Sequence, residues 1–492
     1  MKLLVIGIDA LEPGFLKENI EQLPNIKKLS SEGILGDYDG YVYGYGSCDN
    51  WISLYTGVKP EEHGTIKNIF IKTGESTQVN DYEHLNPFWT VLNDNGYRVG
   101  MWKAMRTSPP QNIDGYMASG ELALEDGLRD SNVWSNEPVF VKEKSYLSDL
   151  VKEPAPKMSM PPGPEEYGYS WTEVNNSPEV LKNIMTSEYF KGAVEEYRSN
   201  LKYQLDCIKK VNDLEKVDLF WFYDPIYDFI SHFVYHDAKR VVLKETLKVV
   251  DWFVGELLNI IDPENVILLS DHGQLAYGEH FPNTTLEVKK EAFGLADQSI
   301  FTDDKIYIPA RNGGFLTAAH SLKATFIASG PIFNKNKQLG KMRNLDIYPL
   351  LLEIFECKIK NQREGLIPDI LNKKKYINED FKAPFIQDYK SVLIISNMPV
   401  YDMNAFINQF YLGNRFMDIY IYSEEKYRTT YEVNPQIKEV ITSQSSVKVY
   451  SLLDKIVIPT SKKGVKLDYL EFKVNEKEFN IPEFDSKICF SG

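Results

Sequence analysis

Five short apolar runs, separated by segments long enough to hold helices, constrain this chain more than any other feature. They are LLVIGI (3–8), YRVGMW (97–102), DLFWFY (218–223), VILLS (266–270) and ATFIAS (324–329). Runs this short, apolar along most of their length, suit strands buried on both faces of a parallel sheet. Residues 187–211 and 239–261 instead repeat apolar side chains every three or four positions, the pattern of amphipathic helices. Strand and helix in alternation predict an α/β fold with a central, mainly parallel sheet. Ligands of such folds bind beyond the carboxyl ends of the strands, so the residues flanking these runs are the first candidates for function.

Those flanks carry acids and imidazoles. Asp9 follows the first run, Asp228 and His232 follow the third in DPIYDFISH, Asp271 and His272 follow the fourth, and His320 precedes the fifth. A single Asp after a strand is ordinarily a cap or turn residue. Recurrence makes the difference, because three of the chain's seven histidines fall at these places. The four-residue spacing of Asp228 and His232 sets both on one face of a helical turn, a common way to aim two ligands at one metal.

A second concentration of polar residues is GYGSCDNWISLYTG, around Ser47, Cys48, Asp49 and Asn50. By itself it reads as a helix start, since Ser, Asp and Asn accept hydrogen bonds from first-turn N–H groups. The two concentrations, taken with their neighbours, resemble the type I phosphodiesterase and nucleotide pyrophosphatase branch of the alkaline phosphatase superfamily. The matching pieces are VIGIDALEP, SCDNWISLYTGVKPEEHGT, NPFWTVLNDNGYRVGMW, SPPQNIDGYMASG, the Asp228–His232 pair, LLSDHG, AAHSLKATFIASGP and NLDIYPLLLEIF, in family order over roughly residues 1–370.

The resemblance implies an alkaline-phosphatase-like three-layer core and a two-metal centre. The family's nucleophile lies ten residues before the glycine of its TG pair, which lands on Ser47 when counted back from Gly57. Cys48 is one residue out of register and the sulfatase pattern Cys-x-Pro-Ser-Arg is missing, so Cys48 is assigned to packing. Asn50 occupies the position of an asparagine that holds a phosphate oxygen. Asp9, Ser47, Asp271 and His272 would hold one divalent ion, and Asp228, His232 and His320 the other. The ions are expected to be zinc, with manganese or iron as alternatives. The family more often shows a glycine-flanked histidine where this chain has TAAHSLKA, which makes His280 the reserve for His320. His63, in KPEEHG, matches a family signature with a loop-fixing role.

The implied activity is hydrolysis of phosphate diesters or nucleotide pyrophosphates through a phosphoseryl intermediate. Two alternatives stand beside it: a phosphomonoester or phosphonate hydrolase or phospho-group transferase on the same centre, and a non-catalytic binding module that keeps the fold. Competent residues at all seven ligand positions weigh against the last. Charge separates the first two only modestly. Two divalent ions bring four positive charges against three from Asp9, Asp228 and Asp271, a surplus that suits a diester monoanion. A monoester dianion would want a further cation, and Lys103 and Arg106 in MWKAMRTSPP are the candidates.

Composition narrows the setting. A net charge of -15 argues against non-specific binding to nucleic acid or anionic membrane, which needs clustered Lys and Arg. No apolar run approaches the ~18 residues of a membrane span. Four scattered cysteines without a CxxC pair suggest a reducing compartment, and the first run is interrupted by Gly7, Asp9 and Glu12 before it reaches signal-peptide length. A cytoplasmic location is therefore expected. Residues 1–370 read as the catalytic domain, with a cap insertion at about 107–200 whose Pro-rich part, about 107–176, has no clear period. Residues 385–492, with strand-like stretches at 391–396, 416–423, 447–452 and 455–460 and a helix-like one at 402–412, read as a small α/β domain of unknown role.

Overall fold

The computed structural model describes residues 1–41, 46–66, 69–70, 72–73, 77–119, 133–134, 138–151, 153–156, 158–159, 170, 188–235, 240–277, 279, 300–302, 305–309, 315–335, 337–359, 363–373, 375–381, 390–395, 417–422, 437–441, 455–461 and 467–473. These divide into two compact units, one built from Met1–Gly40, Gly46–Tyr277 and Gln298–Ala383 and a second that includes Pro384–Gly492.

The first unit is organised on a seven-stranded sheet. Its strands are β1 (Leu3–Ile8), β2 (Ile34–Asp39), β3 (Val99–Trp102), β4 (Gly115–Ala118), β5 (Leu219–Asp224), β6 (Val266–Leu269) and β9 (Lys323–Ser329), in the order β2-β9-β6-β1-β5-β3-β4. A short antiparallel ribbon, β7 (Gly273–Ala276) with β8 (Ala318–Ser321), stands between β6 and β9 in the chain. β1, β3, β4, β5 and β6 pair in parallel. β9 runs against both β6 and β2. ATFIAS, expected among the parallel strands, is therefore the reversed one. Its apolar run is buried on both faces whichever way it points, so composition carries no direction. The reversal matters to the site, because residues that precede β9 lie at the edge where residues that follow β1, β5 and β6 also lie.

Helices cover both faces, as the period-2 alternation of a buried strand requires. Leu4, Ile6 and Ile8 of β1 join one apolar core with α1 (Pro13–Asn19), α2 (Pro24–Glu32), α5 (Glu188–Leu214), α6 (Ile226–Val234) and α7 (Val241–Ile261). Leu3 and Val5 join the other with α3 (Ser47–Thr56), α4 (Phe88–Asp94) and α8 (Ile347–Ile354). The result is the expected α/β sandwich of three layers. Gly7 lets α3 come close, since a Cβ there would meet the Trp51 ring at 2.6 Å.

The expected cap insertion, 107–200, holds two pieces of this core. Gly115–Ala118 is the edge strand β4, and α5, which begins at Glu188, buries Tyr197, Leu201, Leu205 and Ile208. The intervening segment is described only in part. The second unit contains a five-stranded sheet, β12 (Ile437–Ile441), β11 (Met417–Tyr422), β10 (Lys390–Ile395), β13 (Lys455–Ser461) and β14 (Leu467–Lys473), with only the β13–β14 pair antiparallel. β12 and β14 were not legible as strands in the sequence. The expected strand at 447–452 and helix at 402–412 lie outside the described residues. Among the described residues, no helix is long and apolar enough to cross a membrane.

Candidate metal centre and nucleophile

Ser47 opens α3 without capping it. The cap residue is Gly46, whose N–H donates to Asp49 Oδ2 at 2.5 Å, while its carbonyl accepts from Asp49 N and Asn50 N. With the cap handled by its neighbours, the Ser47 hydroxyl faces elsewhere, 3.3 Å from Asp9 Oδ1 and 3.0 Å from His272 Nε2. Gly57, left-handed at φ 68°, stops the helix. His63 braces the first turn from behind. Its Nδ1 accepts from Thr65 N at 3.2 Å and its Nε2 lies 3.2 Å from the Asp49 carbonyl and from Ser53 Oγ. Burial pushes its imidazole down to about 3, so it is neutral.

Asp9 and Asp271 follow adjacent strands, β1 and β6, and meet His272 in a fully buried group. His272 Nε2 lies 3.2 Å from Asp271 Oδ2 and 3.5 Å from Asp9 Oδ1. The other ring nitrogen, Nδ1, is 3.0 Å from the Gly273 carbonyl and must donate to it, which turns the Nε2 lone pair toward the two carboxylates and Ser47. Burial holds the ring neutral, at about 4. Trp51 Nε1 (3.1 Å) and Tyr223 Oη (2.8 Å) both donate to Asp9 Oδ2, leaving Oδ1 toward the cluster. Sequence reasoning missed these two donors. Trp51 stands one helical turn after Ser47 and Tyr223 ends its apolar run, so spacing held a signal for both.

The second group is more open. Asp228, in the first turn of α6, lies 3.4 Å from His232 Nε2 and 3.8 Å from His320 Nε2, and the two imidazole nitrogens are 3.3 Å apart. His232 Nδ1 is turned to the Ala318 carbonyl at 3.1 Å, and the His320 ring stacks on His272 at 3.7 Å. Ligand atoms of Asp228, His272 and His320 fall within 4.8 Å of one another, as do those of Asp9, Asp271 and His272. His272 thus borders both groups, where the sequence reading assigned it to one. His280 lies outside the described residues.

This donor set fits cations. Asp271 Oδ2 and Asp228 Oδ1 are buried atoms with no hydrogen-bond partner, and the His272 lone pair is turned at carboxylate oxygens. Acceptors gathered this way repel unless positive charge or protons lie among them. Burial and the Asp228 charge push Asp9 up to about 7, and burial with the charge of Asp9 raises Asp271 well above the usual carboxyl range. Burial also works against the charge of Asp228, yet His232 and its fellow imidazoles hold that carboxyl well below the usual range.

The remaining predicted residues separate. Asn50 is buried one turn after Ser47, with Nδ2 donating to the Gly46 carbonyl at 3.2 Å and Oδ1 accepting from Asn344 at 3.0 Å. Arg106 Nε donates to Cys48 Sγ at 2.9 Å. Lys103 is buried nearer Asp224 and Cys207, its amine pushed down to about 7 by burial against the pull of Asp224.

The sequence model described as type I phosphodiesterase / nucleotide pyrophosphatase matches residues 3–448. The chain belongs to that family. Among similar curated proteins, venom phosphodiesterase 2 of Crotalus adamanteus is 21% identical over 388 residues, covering 72% of this chain. The chain spans less than half of that relative, 45% of its length. The bis(5'-adenosyl)-triphosphatase enpp4 of Xenopus laevis is 20% identical over 388 residues, covering 72% of this chain and 77% of that protein. A solved structure of human ectonucleotide pyrophosphatase / phosphodiesterase 5 covers 76% of this chain and all of its own, at 14% identity and a TM-score of 0.45. Within this phosphodiesterase/pyrophosphatase family, which is metal-dependent, the two groups around His272 are the candidate ligands of this member.

Proposed function

We propose that this protein hydrolyses phosphate diesters and nucleotide pyrophosphates with Ser47 as nucleophile. The observation that carries the reading is the Ser47 hydroxyl, aimed at Asp9 Oδ1 and His272 Nε2 from the first turn of α3. Two divalent cations, zinc first, would be held by Asp9, Ser47, Asp271 and His272 on the inner side and by Asp228, His232 and His320 on the outer. Such ions, when bound, favour an ionised oxygen nucleophile and offset charge on the phosphoryl and leaving oxygens.

Ser47 Oγ gives up its proton to solvent and attacks phosphorus as the bond to the leaving oxygen breaks on the opposite side, and that oxygen takes a proton from solvent. Water then loses a proton to solvent as it bonds to phosphorus, the Ser47 O–P bond breaks, and Oγ takes a proton to restore the hydroxyl. The N–H groups at the start of α3 favour an anion at this place. Asn50 would exchange its bond to the Gly46 carbonyl for one to a non-bridging phosphate oxygen, a contact typically worth about 3 kcal/mol in the transition state. The likeness to a bis(5'-adenosyl)-triphosphatase supports a nucleotide-like substrate.

The test is turnover of bis-p-nitrophenyl phosphate and a dinucleoside polyphosphate by the metal-loaded chain, beside Ser47→Ala. Ser47→Ala should remove at least ~1,000-fold of the activity while keeping the circular dichroism spectrum. Full activity in Ser47→Ala, or a folded wild type that binds no stoichiometric metal, would overturn the reading.

A further inference from the structure

Asp9, Asp271 and His272 are each held by the atom they turn away from the cluster. Asp9 Oδ2 accepts from Trp51 Nε1 at 3.1 Å and from Tyr223 Oη at 2.8 Å, which leaves Oδ1 beside Ser47 Oγ (3.3 Å) and His272 Nε2 (3.5 Å). Asp271 Oδ1 accepts, at a longer 3.5 Å, from the N–H of Ala10, a residue in the left-handed region at φ 59°. Its other oxygen, Oδ2, is the one 3.2 Å from His272 Nε2. His272 Nδ1 donates to the Gly273 carbonyl. Four single atoms therefore meet: Ser47 Oγ, Asp9 Oδ1, Asp271 Oδ2 and His272 Nε2. The two donors to Asp9 are the firmest part of this arrangement. Trp51 rides on α3 one turn after Ser47, so one rigid element sets both the nucleophile and the Asp9 carboxylate. Its ring is fully buried, closed in by Gly7 and by edge-on contacts with Tyr223 (centroids 5.0 Å apart) and Trp221 (6.1 Å).

We propose that Trp51 and Tyr223 are positioning residues that tune the inner group for zinc over larger, oxygen-preferring divalent ions, by keeping Asp9 to one ligand atom. The inference rests on the reading of this group, with Ser47, as a cation site. A carboxylate with one oxygen held by two donors offers the other oxygen alone, whereas a free carboxylate can offer both. Both donors are neutral, so they orient the carboxylate without cancelling the negative charge that a cation needs. Four single-atom donors, one nitrogen and three oxygens, match the four-coordinate preference of zinc. Manganese and magnesium favour six ligands, mostly oxygen. The next protein oxygen that could serve them here is Asp9 Oδ2, the atom that Trp51 and Tyr223 occupy.

The experiment measures zinc and manganese binding to the chelator-stripped full chain, by competition with a chromogenic chelator and without reference to turnover. Tyr223→Phe keeps the ring and removes one donor. It should lower zinc affinity by ~10-fold, as loss of a hydrogen-bond partner behind a metal ligand commonly does, and change manganese affinity by no more than ~3-fold. The Tyr223→Phe/Trp51→Phe double variant releases Asp9 Oδ2 and should lower the zinc-to-manganese ratio by ~100-fold. If the double variant does not fold, Tyr223→Phe alone decides the matter. Trp221→Phe is the packing control, since its ring borders Trp51 and its own N–H has no partner among the described residues. It should leave the ratio within ~3-fold of the wild type. An unchanged ratio in the donor variants, or a shift in Trp221→Phe as large as theirs, would show a merely structural role and overturn the inference while leaving the Ser47 reading intact. A folded wild type that binds no stoichiometric metal would overturn both.

Discussion

The two candidate ligand groups are built from the same residue types and live in different surroundings. Asp9, Asp271 and His272 are sealed, with side chains no more than 2% exposed, whereas Asp228, His232 and His320 keep 19–22% of theirs exposed. The inner trio follows neighbouring strands in mid-sheet and is held by Trp51, Tyr223 and the Gly273 carbonyl. The outer trio sits on a helical turn and a two-strand ribbon. The difference teaches that the inner group is part of the fold, while the outer group is open to solvent.

Three changes would break or sharpen that contrast. The largest concerns ligand removal. Asp271→Asn should abolish turnover by at least ~1,000-fold and not recover in excess zinc, because several kcal/mol of charge stabilisation is lost at the nucleophile's side. His320→Ala should lose one ion per chain by metal analysis, and regain activity partly when zinc is raised. Identical behaviour of the two variants would erase the distinction.

Next in size is the pH dependence of the metal-free protein. Asp9 and Asp271 bind protons more tightly folded than unfolded, so their contribution to stability is present below the unfolded carboxyl range, near 4. It is lost as pH rises through about 7, where Asp9 titrates when folded. Thermal melts of chelator-treated protein should therefore fall between pH 4 and 7 by a contribution on the order of 2–4 kcal/mol. Asp271→Asn should flatten that dependence and raise the pH 7 melting temperature of the metal-free form. A melt that rises steadily over this range in the wild type and its variant alike would contradict the sealed, like-charged inner group.

The smallest effect is structural. Gly7→Ala would drive a methyl into the Trp51 ring, costing about 1–3 kcal/mol and loosening the indole's bond to Asp9. A denaturant melt gives the first quantity, and the zinc dependence of turnover gives the second.

Much of this centre was legible before any coordinates. Asp9, Asp228, His232, Asp271, His272 and His320 flank apolar runs, and adjacent strands place their flanks within a few ångströms of each other. His320 was found through its distance from ATFIAS, although that strand's direction was misread and only the reversal explains why His320 meets the others. Trp51 and Tyr223 stand at telling positions in the sequence, but that both aim at Asp9 Oδ2 is a matter of side-chain rotamer, which spacing does not encode. In the stretch 107–176 the absence of a clear period concealed a sheet strand, since four residues such as Gly115–Ala118 are too few to show alternation.

What the sequence by itself determined is the layered α/β core and the set of acids and imidazoles at one sheet edge, whereas the expectation for Ser47 came from the family resemblance. Local patterning decides the core and that set, because apolar periodicity dictates which elements form and what lies at their ends. Only the tertiary structure decided that β9 is reversed, that His272 borders both candidate ligand groups, that the inner group is sealed and the outer open, and that Arg106 rather than Lys103 reaches the helix that Ser47 opens. Those outcomes depend on contacts between residues far apart in the chain, such as Arg106 with Cys48 and Asp9 with Tyr223, whose distances follow from how whole elements dock and not from any local pattern.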